Sequence, residues 1–293
     1  MGASREKKGG PLPLSERANR RFDIPWVRDE LIDYGDVEVE LCIPPELYER
    51  ETVGNHFIAG KNRAMVEAEL AAVGDRPVER IVDVGVYKGG SAVLYHKLFA
   101  PKKLVAIELN TKPLRRLDEY VARQADRSLV VAYGVNQADG AALDRICASE
   151  FGAEPIDLVI DDASHLCAET RATFRALFPR LRPGGLYIIE DWSWAHWPGD
   201  YWQTQRGGAY FRDKEPLTNL LIELILLCGS SPQLVSSVRV ETVLFYVERG
   251  PGVLEPGFEL SDHYFSRGER APRFGPNAAD EQVIYSSPTF KLR

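Results

Sequence analysis

The sequence predicts an α/β fold, a doubly wound and mostly parallel sheet, on three observations. Short apolar runs alternate with helical periods from about residue 80 onward. The later runs are near-continuously apolar, as strands buried on both faces must be. Glycine-rich and acidic residues gather where those runs end, on the side of an open parallel sheet where ligands collect.

Taken in order, residues 1–20 carry Gly9, Gly10, Pro11, Pro13 and many charges, and are expected to form a mobile tail. Residues 21–75 form an N-terminal extension, read as partly helical. Within it 22–60 carries no firm assignment, while 62–73 is an Ala-rich helix stopped by Gly74. The main domain spans 76–250. Its strands are 80–84, 103–107, 129–132, 156–160 and 186–189. Its helices are 91–99, 111–123 with Thr111 as N-cap, 139–150, and 168–181 before a Pro183-Gly184-Gly185 turn. An insert at 192–215 breaks the pattern, a helix at 216–228 follows, and one alternating strand, 240–247, closes the sheet. Residues 251–293 form a C-terminal tail.

The net charge of -7 over 293 residues sets phosphate backbones at a disadvantage, so no nucleic-acid partner is expected. The longest apolar run, 217–228, is interrupted by Thr218, Asn219 and Glu223, too short and too polar to span a bilayer. No leader pattern opens the chain, and Cys42, Cys147, Cys167 and Cys228 are scattered without a CxxC pair. The expectation is a cytoplasmic protein with reduced thiols, no membrane partner and an open oligomeric state.

The first strand runs into Asp83-Val84-Gly85-Val86-Tyr87-Lys88-Gly89-Gly90-Ser91. Gly85 and Gly89 lack a Cβ and permit close backbone approach to a cofactor. Gly90 and Ser91 open a helix whose free N–H groups face that ligand. The G-x-x-x-G-G spacing is neither the dinucleotide fingerprint nor a P-loop. Glu108, at the end of the second strand, can accept ribose hydroxyls, and Asn136 to Asp139 after the third strand can read an adenine edge. The plain alternative is a tight turn with Glu108 as a helix cap. The combination resembles the cofactor motifs of class I S-adenosylmethionine methyltransferases over about residues 78–250. It implies a seven-stranded, Rossmann-like sheet, with Asp83 and Gly85 at the methionine end and Glu108 at the ribose.

The fourth strand ends in Asp161-Asp162-Ala163-Ser164-His165 and the fifth in Glu190-Asp191. If these strands are neighbours, Asp162, Glu190 and Asp191 converge. Three packed carboxylates repel unless a cation joins them, and oxygen donors suit Mg²⁺, with Mn²⁺ or Ca²⁺ as substitutes. Such a metal lowers the pKa of a substrate hydroxyl, and His165 can take the proton as general base. His196 is the rival base, and a helix cap is the plain reading of His165. Asp161 points away from Asp162 in an extended run; it reads as structural and is kept as a cofactor-side candidate. Asp162-Ala163-Ser164-His165 and Ile189-Glu190-Asp191 resemble the D-x-S-H and E-D motifs of metal-dependent macrolide-sugar O-methyltransferases and the related cephalosporin hydroxylase family. Ala163 stands where that family often has glycine. The resemblance implies Asp162, Glu190 and Asp191 as metal ligands, His165 as base, and a small-molecule hydroxyl acceptor in antibiotic biosynthesis.

Four tryptophans, Trp192, Trp194, Trp197 and Trp202, with His196, Tyr201, Tyr210 and Phe211, follow the acidic pair. They form either an acceptor wall or a packing surface. Two readings from other classes stand beside the methyltransferase: a nicotinamide oxidoreductase, disfavoured by the missing G-x-G-x-x-G, and a non-catalytic protein that has kept the fold.

Overall fold

The computed structural model describes residues 22, 24–199, 202, 214–254, 257–266 and 269–270. The tail expected over 1–20, Tyr201, Tyr210, Phe211 and residues 271–293 lie outside the described residues.

The central sheet has seven strands: β5 (Arg80–Val84), β6 (Lys103–Glu108), β7 (Leu129–Tyr133), β8 (Ile156–Asp161), β9 (Leu181–Glu190), β10 (Val235–Val240) and β11 (Leu244–Arg249). Their order is β10-β11-β9-β8-β5-β6-β7. All neighbours are parallel except β11, which runs antiparallel to both β9 and β10. This is the doubly wound sheet expected. The order reverses at β5, whose neighbours are β6 on one side and β8 on the other, so the carboxyl ends of β5 and β8 flank the crevice for ligands.

Alternation along each strand feeds two cores. Ile81, Leu104, Ile160 and Ile188 face α3 (Gly90–Phe99) and α4 (Arg115–Ala122). Val82, Val105, Val159 and Ile189 face α5 (Gly140–Phe151), α6 (Cys167–Leu177) and α7 (Thr218–Ser230). All six residues of β8 are buried. A large-to-small change at such a doubly covered position typically costs about 2–5 kcal/mol.

Several boundaries differ from expectation. Residues 22–60 hold four short strands, β1 (Trp26–Arg28), β2 (Leu31–Asp33), β3 (Glu38–Leu41) and β4 (His56–Ala59), with the short helix α1 (Glu46–Glu49). They form a second sheet in chain order, antiparallel except for the parallel pair β3–β4. His56 lies between Glu38 (Nδ1 to Oε2, 2.9 Å) and Glu40 (Nε2 to Oε2, 2.6 Å), tying β4 to β3. Only α2 (Arg63–Val73), capped by Asn62 and ended by Gly74, matches the helical reading of this region.

Helix α4 starts at Arg115 rather than Thr111, because Pro113 biases Lys112 away from helical angles and Asn110 Oδ1 accepts the Lys112 N–H at 2.9 Å. Helix α6 ends at Leu177, with a 3-10 turn over Phe178–Arg180 that contains Pro179. Pro183-Gly184-Gly185 does not separate two elements; it lies within β9, opposite a register shift between Ile156 and Leu158 of β8. The single strand expected at 240–247 is a hairpin of β10 and β11, closed by the Glu241 N–H donating to Leu244 O at 2.8 Å. The reversal at Glu241 and Thr242 carries no glycine, proline, asparagine or aspartate to mark a turn, so the sequence hides it.

The second sheet is seated against α3. A Cβ on Gly90 would lie 2.2 Å from Ile58 O, so β4 approaches the start of this helix only because residue 90 is glycine.

Candidate functional site

The β5 turn and the β8 loop cross at one point. Gly85 has φ +92°, and a Cβ there would lie 2.3 Å from Asp162 O and 2.7 Å from Ala163 Cα. Gly85 therefore makes room for the loop that carries Asp162 and His165. Glu108, at the end of β6, is held by three backbone donors: Tyr87 N (3.0 Å) and Val86 N (3.3 Å) to Oε2, and Asn110 N (2.8 Å) to Oε1. A carboxylate offers about four acceptor positions, so this fixes its orientation and leaves acceptor capacity.

A cavity of about 520 Å³ is lined by Gly85, Glu108, Asn136, Asp162, His165 and Trp194, among others. It brings together Gly85, Glu108 and Asn136 from the expected cofactor set with Asp162 and His165. The remaining cofactor-side candidates do not line it. Asp83 is fully buried behind the turn and accepts from Ser91 Oγ at 2.9 Å; its Oδ1 is buried with no hydrogen-bond partner. Burial pushes Asp83 up to about 7. Gly89 is the N-cap of α3, with φ +86°. Asp139 caps α5 by accepting from Ala142 N at 2.9 Å. Asp161 is buried, accepts from Gln137 Nε2 (3.1 Å) and Tyr187 OH (2.9 Å), and is likewise pushed by burial to about 7. Gln137 Oε1 also accepts the Ser164 N–H at 2.8 Å, so the Asp161–Gln137 pair braces the β8 loop from below.

Asp162, His165 and Asp191 each bring one donor atom within 4.8 Å of the others. His165 and Asp191 both adopt left-handed backbone, at φ 56° and 54°. Non-glycine residues pay of order 1–3 kcal/mol for such conformations and keep them where the surroundings impose them, often at functional sites. The His165 ring packs on Trp194 with centroids 4.2 Å apart. Its Nδ1 faces Glu190 O at 3.4 Å, and its Nε2 lies 3.9 Å from Asp162 Oδ1. With Nδ1–H donating to that carbonyl, Nε2 is the nitrogen free to accept a proton.

Glu190 sits differently from its expected partners. It is fully buried, and both carboxylate oxygens contact Lys61 Nζ, Oε2 at 2.5 Å. The same ammonium lies 3.3 Å from Asp162 Oδ2 and 3.6 Å from Glu69 Oε1. Burial alone would lower Lys61, but Asp162, Glu190 and Glu69 outweigh it and hold the ammonium charged. Burial followed by the Asp162 charge pushes Glu190 well up, and Asp191 up as well; burial raises Glu69. The cluster is thus short of positive charge. The donor trio and this excess of buried acid fit a divalent cation.

Lys61 and Gln137 were not legible from sequence. Lys61 follows a short apolar strand and is 101 residues from Asp162 and 129 from Glu190. The one available signal was the surplus of carboxylates, which calls for a counter-ion without saying where it comes from.

A second cavity, of about 400 Å³, adjoins His165 and is lined by Trp192, Trp194, His196, Trp202 and Leu217, among others. Here His196 Nε2 pairs with Thr218 Oγ1 at 2.5 Å. The tryptophans pack on one another, with Trp194–Trp202 centroids 5.0 Å apart. Among the described residues of the insert, the tryptophans both pack on one another and line a cavity beside His165.

Residues 82–192 match the model of a methyltransferase domain family. The chain is 39% identical over 127 residues to mycinamicin VI 2''-O-methyltransferase of Micromonospora griseorubida, covering 41% of this chain and 29% of that protein. It is 31% identical over 170 residues to 8-demethyl-8-alpha-L-rhamnosyl tetracenomycin-C 2'-O-methyltransferase of Streptomyces olivaceus, covering 58% and 38%. It is 32% identical over 180 residues to demethylmacrocin O-methyltransferase of Streptomyces fradiae, covering 59% and 39%. The chain thus spans well under half the length of these curated relatives. Among solved structures, a methyltransferase of the mycinamycin biosynthetic pathway in complex with Mg, SAH and mycinamycin VI superposes with a TM-score of 0.48 at 27% identity, covering 64% of this chain and 49% of that one. Among the described residues no helix is long and apolar enough to cross a membrane.

Proposed function

Starting from the methyltransferase domain of residues 82–192, we propose that this chain transfers the methyl group of S-adenosylmethionine to a hydroxyl of a small-molecule acceptor, with Mg²⁺ at the carboxylate cluster. The observation that carries the reading is the continuity of one cavity from Gly85 and Glu108 to Asp162 and His165. Cofactor-side and chemistry-side residues share a single volume.

Glu108 would accept the ribose hydroxyls, and Asn136 would border the adenine. Asp162 and Asp191, joined by Glu190, would hold the cation. When bound, a divalent ion there supplies a Lewis acid that makes the acceptor hydroxyl easier to deprotonate. His165 Nε2 takes the hydroxyl proton, and Nδ1 stays anchored on Glu190 O. The acceptor oxygen attacks the methyl carbon, and the carbon–sulfur bonding pair remains on sulfur. The positive sulfonium leaves as a neutral thioether, so no acid assistance is needed.

A sugar or other secondary-metabolite acceptor is supported by the similarity to relatives named for O-methylation, one of them of a rhamnosyl tetracenomycin. The tryptophan-lined cavity beside His165 has the character of a carbohydrate or polyketide surface. A net charge of -7 also favours a small acceptor over nucleic acid. Nothing observed favours a nicotinamide oxidoreductase.

The test is transfer of an isotope-labelled methyl from S-adenosylmethionine to a panel of deoxysugar-bearing macrolides and polyketides with Mg²⁺ present. The expected product carries the label as an O-methyl on the sugar. Label found only on nitrogen or carbon, or no labelled product from any member while the cofactor binds, would overturn the assignment.

A further inference from the structure

We propose that Lys61 is a positioning residue that competes with the divalent cation for Glu190 and so limits how tightly the metal is held. The proposal rests on the metal-dependent reading of the site. Lys61 is 1% exposed, and its ammonium is surrounded by carboxylates of three elements: Glu69 of α2, Asp162 after β8 and Glu190 of β9. The ammonium hydrogen-bonds Asp162 and Glu190, while Glu69 Oε1, at 3.6 Å, makes an ion pair with it and no hydrogen bond. Tyr95, whose ring centroid lies 5.7 Å from Nζ, closes the pocket and donates its hydroxyl to Glu69 Oε2 at 2.8 Å.

Asp162 is divided between two cation positions. Its Oδ2 faces Lys61 at 3.3 Å, while Oδ1 faces His165 at 3.9 Å, on the side of the donor trio. A metal among Asp162, His165 and Asp191 therefore shares Asp162 with the ammonium. It can recruit Glu190 only by drawing an oxygen away from Lys61. A fixed ammonium so close also subtracts from the negative potential that attracts a dication, and metal affinity in oxygen sites follows ligand charge.

In return, Lys61 keeps Glu190 and Glu69 from standing as unpaired buried acids when no metal is bound. The residue comes from the loop after β4, so the N-terminal sheet is part of the metal centre. The closeness of Ile58 O to Gly90 fixes that sheet against α3, and with it the reach of Lys61.

The experiment is a Mn²⁺ titration followed by electron paramagnetic resonance on the full chain, with thermal unfolding of the metal-free forms. Lys61→Met keeps the length and removes the charge. It is expected to bind Mn²⁺ at least about tenfold more tightly than wild type, while its metal-free Tm falls. If that variant does not fold without metal, the double variant Lys61→Met, Glu69→Gln carries the test. It removes one charge of each sign, so the net charge of the cluster stays at the wild-type value, and Gln still accepts from Tyr95. A gain of about tenfold in the double variant then reports the freed Glu190 carboxylate rather than added negative potential. Equal or weaker Mn²⁺ binding by the double variant, with wild type binding normally, overturns the role of Lys61 alone. No Mn²⁺ binding by wild type or either variant overturns the metal reading and this proposal with it.

Discussion

Loss of the metal is expected to have the largest effect on turnover. Exhaustive chelation of the wild type, or Asp191→Ala, should each lower kcat by on the order of 10³-fold or more, the equivalent of the several kcal/mol a Lewis acid supplies. Asp191 is the sharper substitution. Its backbone is held at φ 54°, its N–H donates to Val243 O at 2.8 Å, and its carboxylate is one of the donor trio. The loop should survive the change while the site loses a ligand. Burial and the neighbouring Asp162 charge push Asp191 up. Protons therefore compete with the cation at higher pH than for an ordinary aspartate, and metal affinity should fall as pH is lowered. Rates measured after chelation and after Mg²⁺ is restored decide the matter; an undiminished rate in the chelated enzyme would refute metal dependence.

His165→Ala is expected to lower kcat by about 10²–10⁴-fold, the usual contribution of a positioned base. The ring is fixed on two sides, by Trp194 and by Glu190 O, so Nε2 is presented in one orientation. Affinity for S-adenosylmethionine should hardly change. Because His165 is also one of the three donors, Mn²⁺ affinity separates its two roles. Affinity near wild type means a base, and a large loss means a ligand. His196→Ala is the control, its Nε2 being occupied by Thr218 Oγ1. Loss of turnover in His196→Ala with His165→Ala intact would reverse the assignment.

The central sheet was legible because strands covered on both faces must be largely apolar, and 103–107 and 156–160 each carry a single charged residue in an otherwise apolar run. The hairpin at 235–249 was not, because its reversal at Glu241 and Thr242 carries none of the residues that mark a turn. Residues 22–60 were not legible either: their strands are three or four residues long, and β1 has two of its three residues exposed. Local sequence also placed the acidic residues correctly at strand ends. It could not say which would be solvated, which buried, and which neutralised by Lys61, since those depend on contacts more than a hundred residues away in the chain. Gly85 shows the same limit. Its need for a bare backbone was readable, but the neighbour that imposes it, the Asp162–Ala163 backbone, was not.

The most direct test of the account is calorimetric titration of S-adenosylmethionine into the wild type and into Glu108→Ala. Glu108 is oriented by three backbone N–H groups and lines the same cavity as Asp162 and His165. Its removal leaves the fold's apolar cores untouched. The account predicts that the wild type binds the cofactor and that Glu108→Ala loses on the order of 1–3 kcal/mol, the cost of charge-assisted hydrogen bonds to the ribose. A wild-type protein that binds no S-adenosylmethionine, or a Glu108→Ala variant that binds it as tightly as wild type, would contradict it.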